Sequence, residues 1–203
     1  MRLYWLDLET TGLDPTRDVL LELAIAEADL EHPFDIGPIS NYVFGWDDTP
    51  RKGPMFGSGT MNDLVRTTHT KNGLLEECKV SSWSVHDVEE QLLTLVPEVS
   101  GDDKPTLAGS SVHFDAGFLR VHMPRLAARF SHRYYDVSAV KLFCRSLGMT
   151  KIPKAEAHRA SEDILESIEH AKLCVKWIAA LRFRTGPGEI DMIDRTLSSN
   201  GEQ

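Results

Sequence analysis

Apolar positions gather in short runs along this chain, and the spacing within each run predicts its structure. Residues 3–9 read Leu-Tyr-Trp-Leu-Asp-Leu-Glu, an apolar run broken only by two carboxylates two positions apart. Side chains alternate faces along a strand, so a strand here sends Asp7 and Glu9 to one side and Leu6 and Leu8 to the other. Residues 10–15 form a turn marked by Gly12 and the Asp14-Pro15 pair. The mainly apolar run at 19–28 predicts a second strand paired with the first, although its period also admits a helix. Residues 39–44, preceded by Pro33 and Pro38, predict a third strand, so a β-meander opens the fold.

Beyond residue 60 the period becomes helical. Residues 61–75 predict a short helix and a turn. Ser84 is a good N-cap with Asp87 three positions on, and Val85, Val88, Leu92, Leu95 and Val96 make an apolar stripe that stops before Pro97. A short buried strand at 106–108 ends at Gly109, a helix-forming run covers 114–119, and a strand at 134–137 leads into a helix at 139–147 capped by Ser138. The last long helix, about 160–183, carries Ile164, Ile168, Ala171, Val175 and Ile178 at helical spacing as its buried stripe, and Thr185-Gly186-Pro187-Gly188 stops it. The pattern predicts one mixed α/β domain over residues 1–184, with helices on both faces of a central sheet. A parallel dinucleotide-binding fold is disfavoured because no G-x-G-x-x-G follows the first strand. Residues 45–59, with four Gly and two Pro, predict a flexible loop; Trp46, Phe56, Arg51 and Lys52 also suit a flap that stacks on bases and meets phosphates. Residues 185–203 form a C-terminal extension with a tail expected to be disordered.

Composition narrows the function. A formal charge of −9 argues against broad wrapping of duplex DNA or an anionic membrane, but permits nucleic acid held locally through metal ions and a few arginines. No run approaches the roughly 18 apolar residues of a membrane span, and Asp7 and Glu9 interrupt any signal-peptide core, so a soluble, cytoplasmic protein is expected. Cys78, Cys144 and Cys174 are odd in number and far apart, which indicates neither a disulfide framework nor a structural zinc site.

The acids that matter are Asp7, Glu9, Asp115 and Asp163, with His158 five residues before the last. Paired carboxylates in an apolar strand resist desolvation unless a cation sits between them, or unless the strand end simply reaches water. Four acids with no lysine among them have little reason to converge except to hold metal. Two divalent ions would balance their charge, and hard oxygen ligands favour Mg²⁺ or Mn²⁺. Five helical residues rotate about 500°, leaving about 140° between His158 and Asp163, so His158 belongs on a loop ahead of the helix.

These residues carry a resemblance. Asp7-Leu8-Glu9-Thr10-Thr11-Gly12-Leu13-Asp14, Gly109-Ser110-Ser111-Val112-His113-Phe114-Asp115 and His158-Arg159-Ala160-Ser161-Glu162-Asp163 resemble, in order, the three motifs of the DEDDh family of 3′-5′ exonucleases. Thr68-His69-Thr70 with Gly73-Leu74, Met123-Pro124-Arg125-Leu126 and Arg133-Tyr134-Tyr135-Asp136-Val137-Ser138 point within it to the oligoribonuclease branch. The resemblance runs from about Leu3 to Ala180 and implies an RNase H-like mixed five-stranded sheet and a homodimer. It implies that Asp7, Glu9, Asp115 and Asp163 are metal ligands for two ions and that His158 is the general base. It further implies that short single-stranded RNA, down to dinucleotides, is cut to 5′-mononucleotides. Ser111, Arg133 and Ser138 would cap the substrate's 5′ phosphate, partly across subunits, with Leu13, Thr10 and His69 beside the substrate. The chain departs from the branch at Thr10, where Met is usual, and at Leu64, where a tryptophan is usual. Thr-Thr after the acidic pair occurs in DNA-proofreading members, so a proofreading-type DNA exonuclease is the alternative enzyme. A non-catalytic nucleic-acid-binding protein is the alternative without chemistry.

Overall fold

The computed structural model describes residues 1–46, 61–154 and 158–182. The run at 3–9 becomes β1 (Arg2–Thr10), the centre of a five-stranded sheet. β2 (Leu20–Asp29) pairs antiparallel with β1, and β3 (Ser40–Val43) pairs antiparallel with β2, completing the meander. On the other side of β1 lies β4 (Thr106–Gly109), parallel to it, followed by β5 (Tyr134–Asp136), parallel to β4. The order is β3-β2-β1-β4-β5, the mixed sheet that was expected.

Seven α-helices flank it among the described residues: α1 (Asp63–Lys71), α2 (Leu74–Val80), α3 (Val85–Leu95), α4 (His113–His122), α5 (Pro124–Ala127), α6 (Val137–Ser146) and α7 (Ala160–Arg182). Alternation along β1 divides the core. Tyr4, Leu6 and Leu8 pack with Val88 and Leu92 of α3 and with Phe118 and Leu119 of α4. Leu3 and Trp5 pack on the opposite face with Ala160, Ile164, Ile168 and Ala171 of α7. Each such aliphatic side chain contributes about 1.5–3 kcal/mol on leaving water, which fixes α7 against the face that Asp7 and Glu9 continue. No helix among the described residues is long and apolar enough to cross a membrane.

Ser84 caps α3 as expected, in a reciprocal box with Asp87: the Asp87 N–H donates to Ser84 Oγ at 3.1 Å and the Ser84 N–H to Asp87 Oδ2 at 3.3 Å. The short helix and turn expected at 61–75 are α1 and Asn72-Gly73, where Gly73, at φ 82, adopts the left-handed conformation that opens α2 at Leu74. Two expectations require correction. Ser138 does not cap α6; Asp136 does, its carboxylate accepting the Ser138 N–H at 2.8 Å, so the helix begins two residues earlier. Val175 and Ile178 are 47% and 38% exposed, whereas neighbouring Cys174 is fully buried with its carbonyl accepting from the Cys144 thiol of α6, so the covered face of the later turns is not the one this stripe marks. The predicted loop at 45–59, apart from Gly45 and Trp46, and the extension at 185–203 lie outside the described residues.

Candidate active site

β1 and β4 stay in register only from Leu3↔Thr106 to Trp5↔Ala108. Gly109 ends β4 where a Cβ would stand 2.7 Å from the Leu6 carbonyl oxygen, so only glycine lets the strands approach this closely before they part. The free edge of β1 is then filled by α4, whose Asp115 Oδ1 accepts the Leu8 N–H at 3.0 Å. The same bond fixes the Asp115 carboxylate beside Asp7. From the other side, the first turn of α7 brings in Asp163. Donor atoms of Glu9, His158 and Asp163 all lie within 4.8 Å of one another. His158 precedes α7 with φ 48, a left-handed conformation that costs a residue with a side chain about 1–3 kcal/mol.

The electrostatics match crowded, unneutralised acids. Burial pushes Asp7 well above the usual carboxylate range, helped by the charges of Asp115, Asp163 and Glu9. Burial, then Asp163 and Glu22, raise Glu9 to about 8, against a partial pull from Lys154. Burial likewise raises Asp115 to about 8 although backbone N–H groups, including that of Leu8, stabilise its charge. Asp163 is raised chiefly by burial, and its Oδ1 is buried without a hydrogen-bond partner. A hard divalent cation fits this donor set: it would neutralise the cluster and occupy the unpartnered oxygen.

Around this centre the remaining residues fall into two groups. His69, 3% exposed on α1, puts Nε2 3.5 Å from Glu9 Oε2, and burial lowers its pKa. The Thr10 hydroxyl donates to the Gly12 carbonyl at 2.6 Å and so is occupied within the turn, while Leu13 at the turn's tip is 80% exposed. Ser111 and Ser138, after the carboxyl ends of β4 and β5, bring their hydroxyls within 3.0 Å, and Ser111 too has a left-handed backbone, φ 59. Arg133 is elsewhere. It precedes β5 at the amino end of the parallel strands, with Nη1 3.9 Å from Asp102 Oδ1, so a single chain does not unite it with the serine pair.

The chain is 38% identical over 174 residues to an oligoribonuclease of Corynebacterium diphtheriae, covering 82% of this chain and 78% of that protein. The chain belongs to the oligoribonuclease family. A probable oligoribonuclease of Dictyostelium discoideum is 38% identical over 175 residues, covering 84% of this chain and 87% of its relative. No protein-family model matches the chain. In solved structures its fold is similar to that of Escherichia coli exonuclease I in complex with a dT13 oligonucleotide, with a TM-score of 0.63 at 16% identity over 89% of this chain. The chain spans only 42% of that exonuclease, and the likeness is one of fold.

Sequence reasoning missed a second set of residues in this oligoribonuclease-family site. Glu22 is fully buried on β2, in register opposite Glu9, and Arg159 bridges it to Glu77. The Arg159 fork holds Glu22 below the usual carboxylate range despite its burial. The signal was present: a carboxylate inside the otherwise apolar run 19–26 needs a buried cation, just as Asp7 and Glu9 do.

Proposed function

We propose that this oligoribonuclease-family chain is a metal-dependent 3′-5′ exoribonuclease acting on short single-stranded RNA, down to dinucleotides. The observation that carries the reading is the convergence of Glu9, His158 and Asp163, with Asp7 and Asp115 completing an acidic cluster raised in pKa by burial. Asp7, Glu9, Asp115 and Asp163 would hold two divalent ions, Mg²⁺ or Mn²⁺. Such ions supply positive charge to the scissile phosphate and make the attacking water more acidic.

The chain's own residues do the rest. A ring nitrogen of His158 takes the proton of the attacking water, a transfer for which imidazole is the commonest side chain. Water oxygen bonds to phosphorus as the bond to the 3′ oxygen of the preceding nucleotide breaks, releasing a 5′-mononucleotide and a chain one residue shorter. Leu13 offers an exposed apolar contact to a base, Thr10 shapes the turn that presents it, and His69 lies beside Glu9. The paired hydroxyls of Ser111 and Ser138 suit a terminal phosphate oxygen.

The reading includes a homodimer. Among the described residues, seven of the fourteen exposed large apolar side chains lie on α6, its cap and α7: Leu142, Phe143, Leu147, Leu165, Leu173, Val175 and Ile178. A second copy burying them could bring its Arg133 to the serine pair that this chain's own Arg133 does not reach. Cytoplasmic residence is supported by three free, buried cysteines. The domain reading keeps residues 1–184 as the nuclease unit and 185–203 as an extension.

The test is the initial rate on a 5′-phosphorylated RNA dinucleotide beside a ten-mer and its DNA counterpart, in Mn²⁺, with His158→Ala as control. Preference for the RNA dinucleotide, lost in the control, is expected. DNA hydrolysis undiminished at length ten would favour the proofreading-type alternative, and no hydrolysis of either would leave a binding protein.

A further inference from the structure

With His158 as the base proposed above, what holds it in a disfavoured backbone conformation becomes a functional question. Three consecutive residues are pinned here, each by a different atom. The His158 carbonyl accepts from Asn72 Nδ2 at 2.6 Å, from the end of α1. The Arg159 guanidinium forks onto Glu22 through Nε and Nη2 at 2.9–3.2 Å, and onto Glu77 through Nη1 and Nη2 at 2.8 and 2.9 Å. The Ala160 N–H donates to Glu22 Oε2 at 3.0 Å, and Asn41 Nδ2 holds the other Glu22 oxygen at 2.9 Å.

We infer that Asn72, Arg159 and Glu22 are positioning residues, a clamp that keeps His158 left-handed and its imidazole directed at Glu9 and Asp163. None of the three is among the acids and histidine that carry the chemistry. A disfavoured backbone conformation persists only where its surroundings over-determine it, and here β2, α1 and α2 each contribute a contact. Arg159 also neutralises a fully buried carboxylate in register opposite Glu9. The clamp therefore sets both the aim of the base and the charge beside it. Relaxation of His158 to an ordinary right-handed or extended backbone would swing the ring away from the acids, and a displacement of about 1 Å at a reacting group can cost up to a hundredfold in rate.

Asn72→Asp and Arg159→Lys test this separately. Asp at 72 keeps an acceptor for the Leu74 N–H, which the Asn72 Oδ1 now receives at 3.1 Å, but turns an acceptor toward the His158 carbonyl. Lys at 159 keeps the charge opposite Glu22 and loses the double fork. Each is made in the parent and in His158→Ala, and single-turnover cleavage of an RNA dinucleotide in Mn²⁺ is measured with KM and the thermal midpoint. The expected result in the parent is a rate loss of about tenfold or more, with KM changed less than about twofold. In His158→Ala the same substitutions should change the rate less than about twofold. Equal losses in both backgrounds would overturn the inference, since the effect would not pass through His158; an unchanged rate in the folded parent variants would also overturn it. Should Arg159→Lys fail to fold, Asn72→Asp carries the test. His158→Ala alone reads the base assignment: a retained parental rate there removes the base, and the clamp's purpose with it.

Discussion

Replacing Glu9 by Gln should abolish activity and yet stabilise the metal-free protein at alkaline pH. An acid held above its ordinary pKa in the folded chain adds stability that is complete below the unfolded value and lost as pH rises through the folded one. For Glu9 that window runs from 4.5 to about 8. At about 1.36 kcal/mol per pH unit, ionising Glu9 in the fold costs up to roughly 5 kcal/mol. Lys154, which already pulls the Glu9 pKa down, and entering water relax toward the charge, so a net gain of about 2 kcal/mol from the neutral amide is the working figure. In a domain of this size that is a rise of about 4–8 °C in thermal midpoint. The assay is thermal unfolding of parent and Glu9→Gln in chelator at pH 5.5 and 8.5, at matched ionic strength. The variant should gain over the parent at pH 8.5 and lose most of that advantage at pH 5.5. His69, whose lowered pKa makes the parent gain stability as pH rises toward 6.5, is neutral at pH 8.5, so the comparison there reads Glu9. Millimolar Mn²⁺ should reverse the order at pH 8.5, because the parent regains a ligand that the amide lacks. A variant no more stable than the parent at pH 8.5 in chelator would refute the convergence of buried acids on which the site rests.

Asp163→Ala should lower turnover by at least about a hundredfold while circular dichroism stays native, because it would remove the metal ligand proposed on α7; a parental rate would take Asp163 out of the set. Arg133→Ala should slow 5′-phosphorylated dinucleotides more than ten-mers in a rate comparison, and equal slowing would contradict a role in capping the 5′ phosphate. Leu64 is 74% exposed on α1, where the branch usually carries an indole, so Leu64→Trp should lower KM for dinucleotides by roughly fivefold or more through base stacking worth about 1–3 kcal/mol. An unchanged KM would place position 64 away from the bases.

Much of the fold was legible because its signals are local. Alternation in 3–9 assigned the faces of β1, and the Ser84–Asp87 box marked the start of α3 from four residues. The cap of α6 was misread because Asp136 and Ser138 are both good capping types, and only the backbone shows which one lies outside the helix. The stripe on α7 was read correctly through Ala171 but not at Val175 and Ile178, since a period identifies an apolar face without saying whether that face stays the covered one. In the candidate site, the acids and His158 could be collected from residue type and motif. The partners that aim them could not: Glu22 and Arg159 are joined across 137 positions, and Asn72 meets the His158 carbonyl across 86, with no periodic signature in either case.

The bond between the Leu8 N–H and Asp115 spans 107 positions, and Asp163 arrives on the last helix described. Bringing residues this far apart in sequence together closes long loops, so no early stretch of the chain can gather the acids alone. On the proposed ligand set, a polypeptide emerging from the ribosome would carry Asp7 and Glu9 on β1 but stay inert toward the RNA around it until α7 docks. Detachment of α7 in the mature protein would likewise silence the nuclease before the rest of the fold is lost, so hydrolysis itself reports when the last helix has come home.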